Sequence, residues 1–374
     1  MTDAIAESAR SCGMVTAAVW SDVDGDDWID LVVALEWGSV RIFKNDSGRL
    51  VDATSATGLE KHVGWFNSIS AGDIDNDGDT DFVVGNFGLN TKYKADDKTP
   101  AVMYYGDLDG TGNNRIVEAK FENGVCLPRR GLSCSSHAMP LVRENKPTFH
   151  EFAISDLSGI YTDERLSKAT KLEANELRSA VLINESSAGK IKFEFRGLPN
   201  EFQISPIFGS ALVDINADGN LDLLVAQNFY GPQKETGYMD GGLGLLSLGD
   251  GTGNFRPLAV SASGVNIPGD ATSLTTVDLN NDGQLDFVVG KNDSAAQAFL
   301  SQNPEDQSTK PIKINDVANG SQPIGGKLMV KLPGGKQRLH EIRAGSGYLS
   351  QSPTTIYGAT EVTTARWPVK ENEK

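Results

Sequence analysis

An acidic nine-residue loop, Asp-x-Asp/Asn-x-Asp-Gly-x-x-Asp, recurs along the chain, each time behind a short apolar segment and ahead of a β-branched run. In the first copy Thr16–Trp20 leads into Asp22, Asp24, Asp26, Trp28 and Asp30, with Leu31–Ala34 after it. The second runs through Asp73, Asp75, Asp77, Asp79 and Asp81 into Phe82–Gly85, and the third through Asp214, Asn216, Asp218, Asn220 and Asp222 into Leu223–Ala226. The fourth runs through Asp278, Asn280, Asp282, Gln284 and Asp286 into Phe287–Gly290. Self-similarity of this kind means a repeat architecture, and short apolar runs closed by turn residues mean strands.

The spacing has a chemical reason. Calcium takes 6–8 oxygen ligands, and alternate short carboxylates on a curled loop can all point inward. Positions one, three, five and nine supply side chains. Position seven (Trp28, Asp79, Asn220, Gln284) varies freely, as expected where only its backbone carbonyl coordinates. Position six is glycine in three copies and Asp27 in the first, and Asp tolerates the left-handed backbone better than most residues. Turn formation alone asks for no Asp at positions one and nine, so four Ca²⁺ sites are expected. A fifth, degenerate copy has Asp107, Asp109, Thr111 and Gly112 but Arg115 where the last Asp belongs. Whether it binds calcium is left open, since a guanidinium can fill the hole and pair with Asp107 and Asp109.

Outer hairpins are expected at Val40–Asn45 with Arg49–Ala53 and at Leu245–Leu248 with Asn254–Leu258. Two strands around an acidic loop plus an outer pair make one antiparallel blade, so the fold class is all-β, a β-propeller of about five blades. The expected layout is a tail at 1–12, propeller repeats at 13–310 with a short helical insertion near 120–178, and a small β-domain at 311–370. In the insertion, Thr148-Phe149-His150-Glu151 fits a capping box before the apolar stripe Phe149, Phe152, Ala153 and Leu157, and a second helix is expected from Thr162. Strands then return at Arg178–Asn184 and Lys190–Phe195 to complete the interrupted blade.

The formal charge of −16 argues against nucleic-acid partners and anionic lipid, which demand a basic face. No apolar stretch approaches the roughly 20 residues that span a bilayer. The start, Met1–Ser11, lacks the basic and apolar regions of a secretory signal, and the expectation is an exported protein whose leader has been removed. Cys126 and Cys134 can close a small loop or stay free; Cys12 is then odd.

With their trailing Asp-Leu/Phe-Val-Val runs, the four loops resemble VCBS/FG-GAP repeats, related to the propeller of integrin α subunits. The segments Gly345–Gln351 and Ala365-Arg366-Trp367-Pro368 resemble the ASPIC/UnbV domain that follows such repeats, as in the cartilage acidic protein family. Val84–Tyr93 is similar to long bacterial members, in which this region sits late in a larger chain, so the sequence is expected to be a C-terminal piece. The resemblance implies calcium binding, a secreted, periplasmic or cell-surface location, and a recognition or adhesion role toward a protein or carbohydrate ligand. It implies no agreed activity.

The competing reading is a glycan-active lyase or hydrolase using the basic stretch 128–150, with His137 as base and Arg129 and Arg143 holding an anionic sugar. Against it, Arg129 and Arg130 are as readily surface ion pairs and His137 a loop residue. The chain has no nucleophile elbow, zinc-protease motif or P-loop. Trp20, Trp28, Trp37 and Trp65 fall in the first two blades, as a sugar platform or as core packing.

Overall fold

The computed structural model describes residues 5–187, 189–232, 236–302, 311–313 and 324–367. They form two compact units, one of Met1–Thr91 with Arg178–Lys374 and one of Lys92–Leu177.

In the first unit each acidic loop joins two strands of an antiparallel sheet. Sheet one runs Met14–Ser21, Asp30–Gly38, Arg41–Asp46, Arg49–Asp52. Sheet two runs Ser68–Gly72, Asp81–Gly85, Ala180–Asn184, Phe193–Gly197, so its third and fourth strands come about a hundred residues after the second. Sheet three holds Ile207–Val213, Asp222–Gln227, Leu245–Gly249 and Phe255–Pro257, and sheet four holds Ala271–Val277, Asp286–Lys291 and Gln297–Phe299.

Period-two alternation in continuously apolar strands explains how the sheets stack. Successive side chains point to opposite faces, so a fully apolar strand is buried on both. Phe82 and Val84 pack with Val19, Val32 and Ile42 of sheet one, whereas Val83 packs with Ile207, Leu223 and Val225 of sheet three. Leu224 and Ala226 turn the other way, onto Leu274, Phe287 and Val289 of sheet four. Sheets two and three therefore each share one core with the sheet before and another with the sheet after, the stacking expected of a propeller-like all-β fold.

The N-terminal stretch is tied down: Ala6 packs with Val33, Leu35 and Phe43, and Ser8 Oγ donates to Leu50 O at 3.1 Å. At the other end Lys327–Lys331 pairs with Gln337–Glu341 and Glu361–Arg366 around a core of Leu328, Val330, Ile342 and Ile356. Pro368 and the rest of the tail lie outside the described residues.

The second unit is a four-stranded antiparallel sheet, in the order Val125–Pro128, Arg115–Glu122, Ala101–Gly106, Thr170–Ala174, covered by short helices. Val102, Val117 and Ala119 of the sheet pack on Leu132, Met139, Val142, Ile160 and Tyr161. The expected insertion at about 120–178 lies inside this unit, which begins at Lys92 and so takes the Asp107 loop with it. The capping box is formed: Thr148 Oγ1 accepts from Glu151 N at 3.1 Å, and Glu151 Oε2 from Thr148 N at 3.0 Å. Phe152 and Leu157 are buried as the stripe requires, but Phe149 is 64% exposed, its ring 5.4 Å from the Arg143 guanidinium.

Candidate metal centres

The four loops share one backbone design. Positions four and six both sit in the left-handed region: Gly25 and Asp27 at φ 75° and 67°, Asn76 and Gly78 at 61° and 96°, Ala217 and Gly219 at 57° and 86°, Asn281 and Gly283 at 59° and 86°. Two such residues curl the loop tightly enough for its first carboxylate to accept the N–H of position six. Asp27 N reaches Asp22 Oδ2 at 2.8 Å, Gly219 N reaches Asp214 Oδ2 at 3.0 Å and Gly283 N reaches Asp278 Oδ2 at 3.0 Å. The Asp27 replacement is thus accommodated, at an αL cost that Gly avoids.

Position nine has a role that spacing alone did not reveal. Asp30, Asp81, Asp222 and Asp286 are each wholly buried. Each accepts two backbone N–H bonds, one from position two of its own loop and one from beyond the loop. Asp30 takes Val23 and Asn45 at 2.9 and 2.7 Å, and Asp81 takes Ile74 and Asn184 at 2.8 Å each. Asp222 takes Ile215 and Gly249 at 2.9 Å each, and Asp286 takes Leu279 and Ser301 at 2.9 and 2.8 Å. The closing carboxylate therefore clamps its loop to the chain around the third strand as well as facing inward. In the second loop that clamp, Asn184, comes from beyond the second unit.

The residues present suit a hard cation. Carboxylate oxygens of Asp22, Asp24 and Asp30 lie within 4.8 Å of one another, as do those of Asp73, Asp75 and Asp81. Asp24 Oδ1, Asp79 Oδ1 and Asp214 Oδ1 are buried with no hydrogen-bond partner. Buried acceptors normally find one. Burial pushes Asp79 up to about 8 with help from Asp77 and Asp81, Asp81 to about 7 and Asp73 to about 6. Burial likewise raises Asp30 to about 7 and Asp222 to about 6. Carboxylates held this close repel unless protonated or bridged by a cation.

The loops differ in the cationic side chains that reach them. In the first, Lys44 Nζ donates to Asp24 and Asp26, and Lys327 Nζ to Asp22 Oδ2 at 2.7 Å. In the third, Lys336 Nζ reaches Asn220 Oδ1 at 3.1 Å and Arg338 Nη1 lies 3.5 Å from Asp214 Oδ2. The second loop instead receives a backbone donor, Leu339 N to Asp73 Oδ2 at 2.7 Å. Lys327, Lys336, Arg338 and Leu339 all belong to the C-terminal segment, which the sequence reading left without a part in these loops. Glu341 anchors it: its carboxylate accepts from Ser21 Oγ at 2.5 Å, Asp22 N at 2.9 Å, Thr80 Oγ1 at 3.2 Å and Arg343 Nε at 3.1 Å.

The Asp107 copy keeps this backbone, with Gly110 and Gly112 at φ 74° and 81°, but lacks the closing carboxylate. Arg115 Nε donates to Asp109 Oδ2 at 2.9 Å, while Asp107 accepts from Gly112 N at 3.0 Å. Asp109 also takes Thr111 Oγ1 at 2.6 Å, inside the string Asp-Gly-Thr-Gly-Asn. The same string at Asp250–Asn254 makes the outer hairpin of sheet three, where Asp250 accepts from Thr252 Oγ1 at 2.7 Å. The Asp107 segment has the local bonding of that hairpin turn.

The basic stretch does not converge on a catalytic set. Arg129 stacks 4.0 Å over the Tyr93 ring, whose hydroxyl donates to Glu118. His137, Arg143 and His150 are exposed, and a small cleft of about 20 Å³ nearby is lined by Arg130, Cys134 and Tyr161 without His137. Cys126 and Cys134 form no disulfide with each other. Of the tryptophans, Trp65 is buried between Trp37 and Phe87 at 5.0 and 4.9 Å, which is core packing, while Trp20 stands 36% exposed on sheet one.

Comparison with known families decides the nature of the repeat. FG-GAP-like repeats match residues 22–84 and 214–289, two spans that each enclose two acidic loops. The chain carries FG-GAP-like repeats. These FG-GAP-like spans begin on the first carboxylate of a loop and end in the strand that follows the next loop. No curated protein matches the chain. Among the described residues no helix is long and apolar enough to cross a membrane.

Proposed function

We propose that the chain is a calcium-stabilised, integrin-like β-propeller module acting in extracellular recognition of a protein or carbohydrate. The observation that carries the calcium part is the second loop. There Asp73, Asp75 and Asp81 converge, burial drives Asp73, Asp79 and Asp81 to titrate near neutrality, and Asp79 Oδ1 has no donor. A bound Ca²⁺ supplies the charge these oxygens lack, and residues 73, 75, 77, 79 and 81 would hold it, with matching positions in the other three loops. Four divalent ions halve the formal charge of −16, so loading stabilises the folded chain by mass action and by relief of repulsion. Recognition in place of catalysis is supported by the scattered basic residues of the second unit. Secretion and an ASPIC/UnbV-like C-terminal domain rest on the sequence resemblance.

The test is calorimetric titration of the chelated protein with CaCl₂, followed by thermal melts. We expect four equivalents bound and a melting temperature that EDTA lowers by roughly 10 °C or more. An unchanged melting temperature would sink the proposal.

A further inference from the structure

The turn that follows the short helix Thr54–Thr57 and the hairpin that joins the third and fourth strands of sheet two enclose a hollow of about 440 Å³. That lies within the roughly 300–1,000 Å³ of small-ligand sites. Its lining inverts the charge of the chain. Lys61, Lys190 and Lys192 stand against Glu185 and Glu194, whereas the chain as a whole carries a formal charge of −16. Both acids are already held. Glu185 pairs with Lys192, and Glu194 Oε2 accepts from Arg196 Nη2 at 2.6 Å, so a guanidinium enters the balance from beyond the lining. Among the described residues Lys190 has no carboxylate partner, its bonds being those of its backbone to Ser187. One side of the hollow is apolar. The imidazole of His62 lies flat on Phe195 at 4.0 Å and 11°, and the Arg178 guanidinium stands 5.7 Å from the same ring.

These charges select an anion. Four basic groups, Arg196 included, against two carboxylates leave an excess of two positive charges around the space. Calcium does not reverse the choice. Asn184, the residue before Glu185, clamps Asp81 of the second loop, so an ion bound there takes negative charge out of the same neighbourhood and leaves the hollow more positive. A bare inorganic anion would leave the Phe195 side uncovered, so the ligand carries its acidic group on a small organic body.

We propose that this hollow binds a small organic oxyanion, the carboxylate of an acidic sugar, with Lys61 and Lys190 at its acidic group and Phe195 beside its body. This deepens the recognition reading, on which it rests for the choice of a sugar as the body, by giving the ligand its charge. Full-length protein, its calcium uptake measured first, is titrated with D-glucuronate by saturation-transfer NMR, with D-glucose as the neutral control and sulfate as a competitor. D-Glucuronate should bind in the millimolar range and D-glucose about tenfold more weakly or less, and the binding should weaken as NaCl is raised. Lys190→Gln should weaken it severalfold, and Lys61→Gln combined with Lys190→Gln about tenfold. Glu185→Gln, which removes an opposing charge and releases Lys192, should tighten it severalfold. All three side chains are exposed, so the variants should melt with the wild type. Glucuronate that binds no better than glucose, or that binds the double variant unchanged, overturns the inference, as does a Glu185→Gln protein that binds no tighter. Sulfate that displaces glucuronate at equal concentration overturns the choice of an organic acid. Each of these outcomes leaves the calcium titration and the reading built on it untouched, and glucuronate binding by a protein that takes up no calcium overturns the calcium reading alone.

Discussion

Asp79 occupies the variable seventh position of its loop, where a side chain is not needed as a ligand, yet its carboxyl is pushed furthest from the ordinary range. Burial is the main cause, and Asp77, Asp81, Asp75 and Asp73 add to it. A carboxyl raised in the folded state from about 4 to about 8 binds its proton more tightly folded than unfolded. It therefore contributes stability below about pH 4 that is lost as pH rises through about 8, and Asp81 and Asp73 act in the same sense around about 7 and 6. In EDTA the melting temperature should fall steadily between about pH 5 and pH 8, whereas calcium, which binds the deprotonated set, should flatten or reverse that slope. Asp79→Asn should remove the upper part of the fall. Melts of both proteins across this pH range check it; a chelated protein that gains stability toward pH 8 would contradict the argument. The positions themselves were legible in the sequence because each loop repeats one register. The perturbation of Asp79 was not, since it arises from how many neighbours its own loop buries beside it.

At the scale of elements, equal spacing hides unequal loops. Lys44 sits in the third strand of sheet one, and its ammonium bridges Asp24 and Asp26, so calcium entering the first loop must displace a tethered cation. Lys44→Met should raise the affinity of that loop by severalfold, a partly exposed ion pair being worth about 1 kcal/mol or less. Titrations of the wild type and the variant should differ in one site out of four. The Asp107 segment argues the opposite case. Arg115 already supplies its positive charge, and its Asp-Gly-Thr-Gly-Asn string bonds as the hairpin at Asp250 does. Asp107→Asn should leave the calcium count at four by equilibrium dialysis, and a drop of one equivalent would restore it as a site. Here the sequence left the question open for a physical reason. Short loops of Asp and Gly satisfy themselves with Asx and Thr hydroxyl bonds as easily as with a metal, and only the partner of the last position separates the two. The blades were legible because alternate residues of strands such as Phe82–Gly85 are all apolar, and the sheet they complete through Asn184 could be guessed. That the segment from Lys92 packs a core of its own was not, because Val102, Val117 and Ile160 meet only in three dimensions.

For the first unit as a whole, the C-terminal segment ties together loops far apart in the chain. Lys327 reaches Asp22, Leu339 reaches Asp73 and Arg338 reaches Asp214, while Glu341 holds Asp22 N, Ser21, Thr80 and Arg343 at once. Contacts across some 120 to 320 residues leave no local periodicity, so no reading of the sequence assigns them. If calcium binds as proposed, loading and C-terminal docking become parts of one cooperative arrangement, because Asp22, Asp73 and Asp214 would ligate the ion and are also the carboxylates that receive the segment. Glu341 is buried and fully engaged, so Glu341→Ala removes the carboxylate partner of Arg343 Nε, leaves three other donors unpaired and should cost about 3–5 kcal/mol in urea unfolding of the calcium-loaded protein. Coupling fixes the more informative outcome. If docking and loading share their free energy, the cost of Glu341→Ala measured in EDTA should be smaller than in calcium by about 1 kcal/mol or more, the non-additivity expected of groups in one network. Equal costs in the two conditions would mean that the segment rests on the loops without sensing their occupancy.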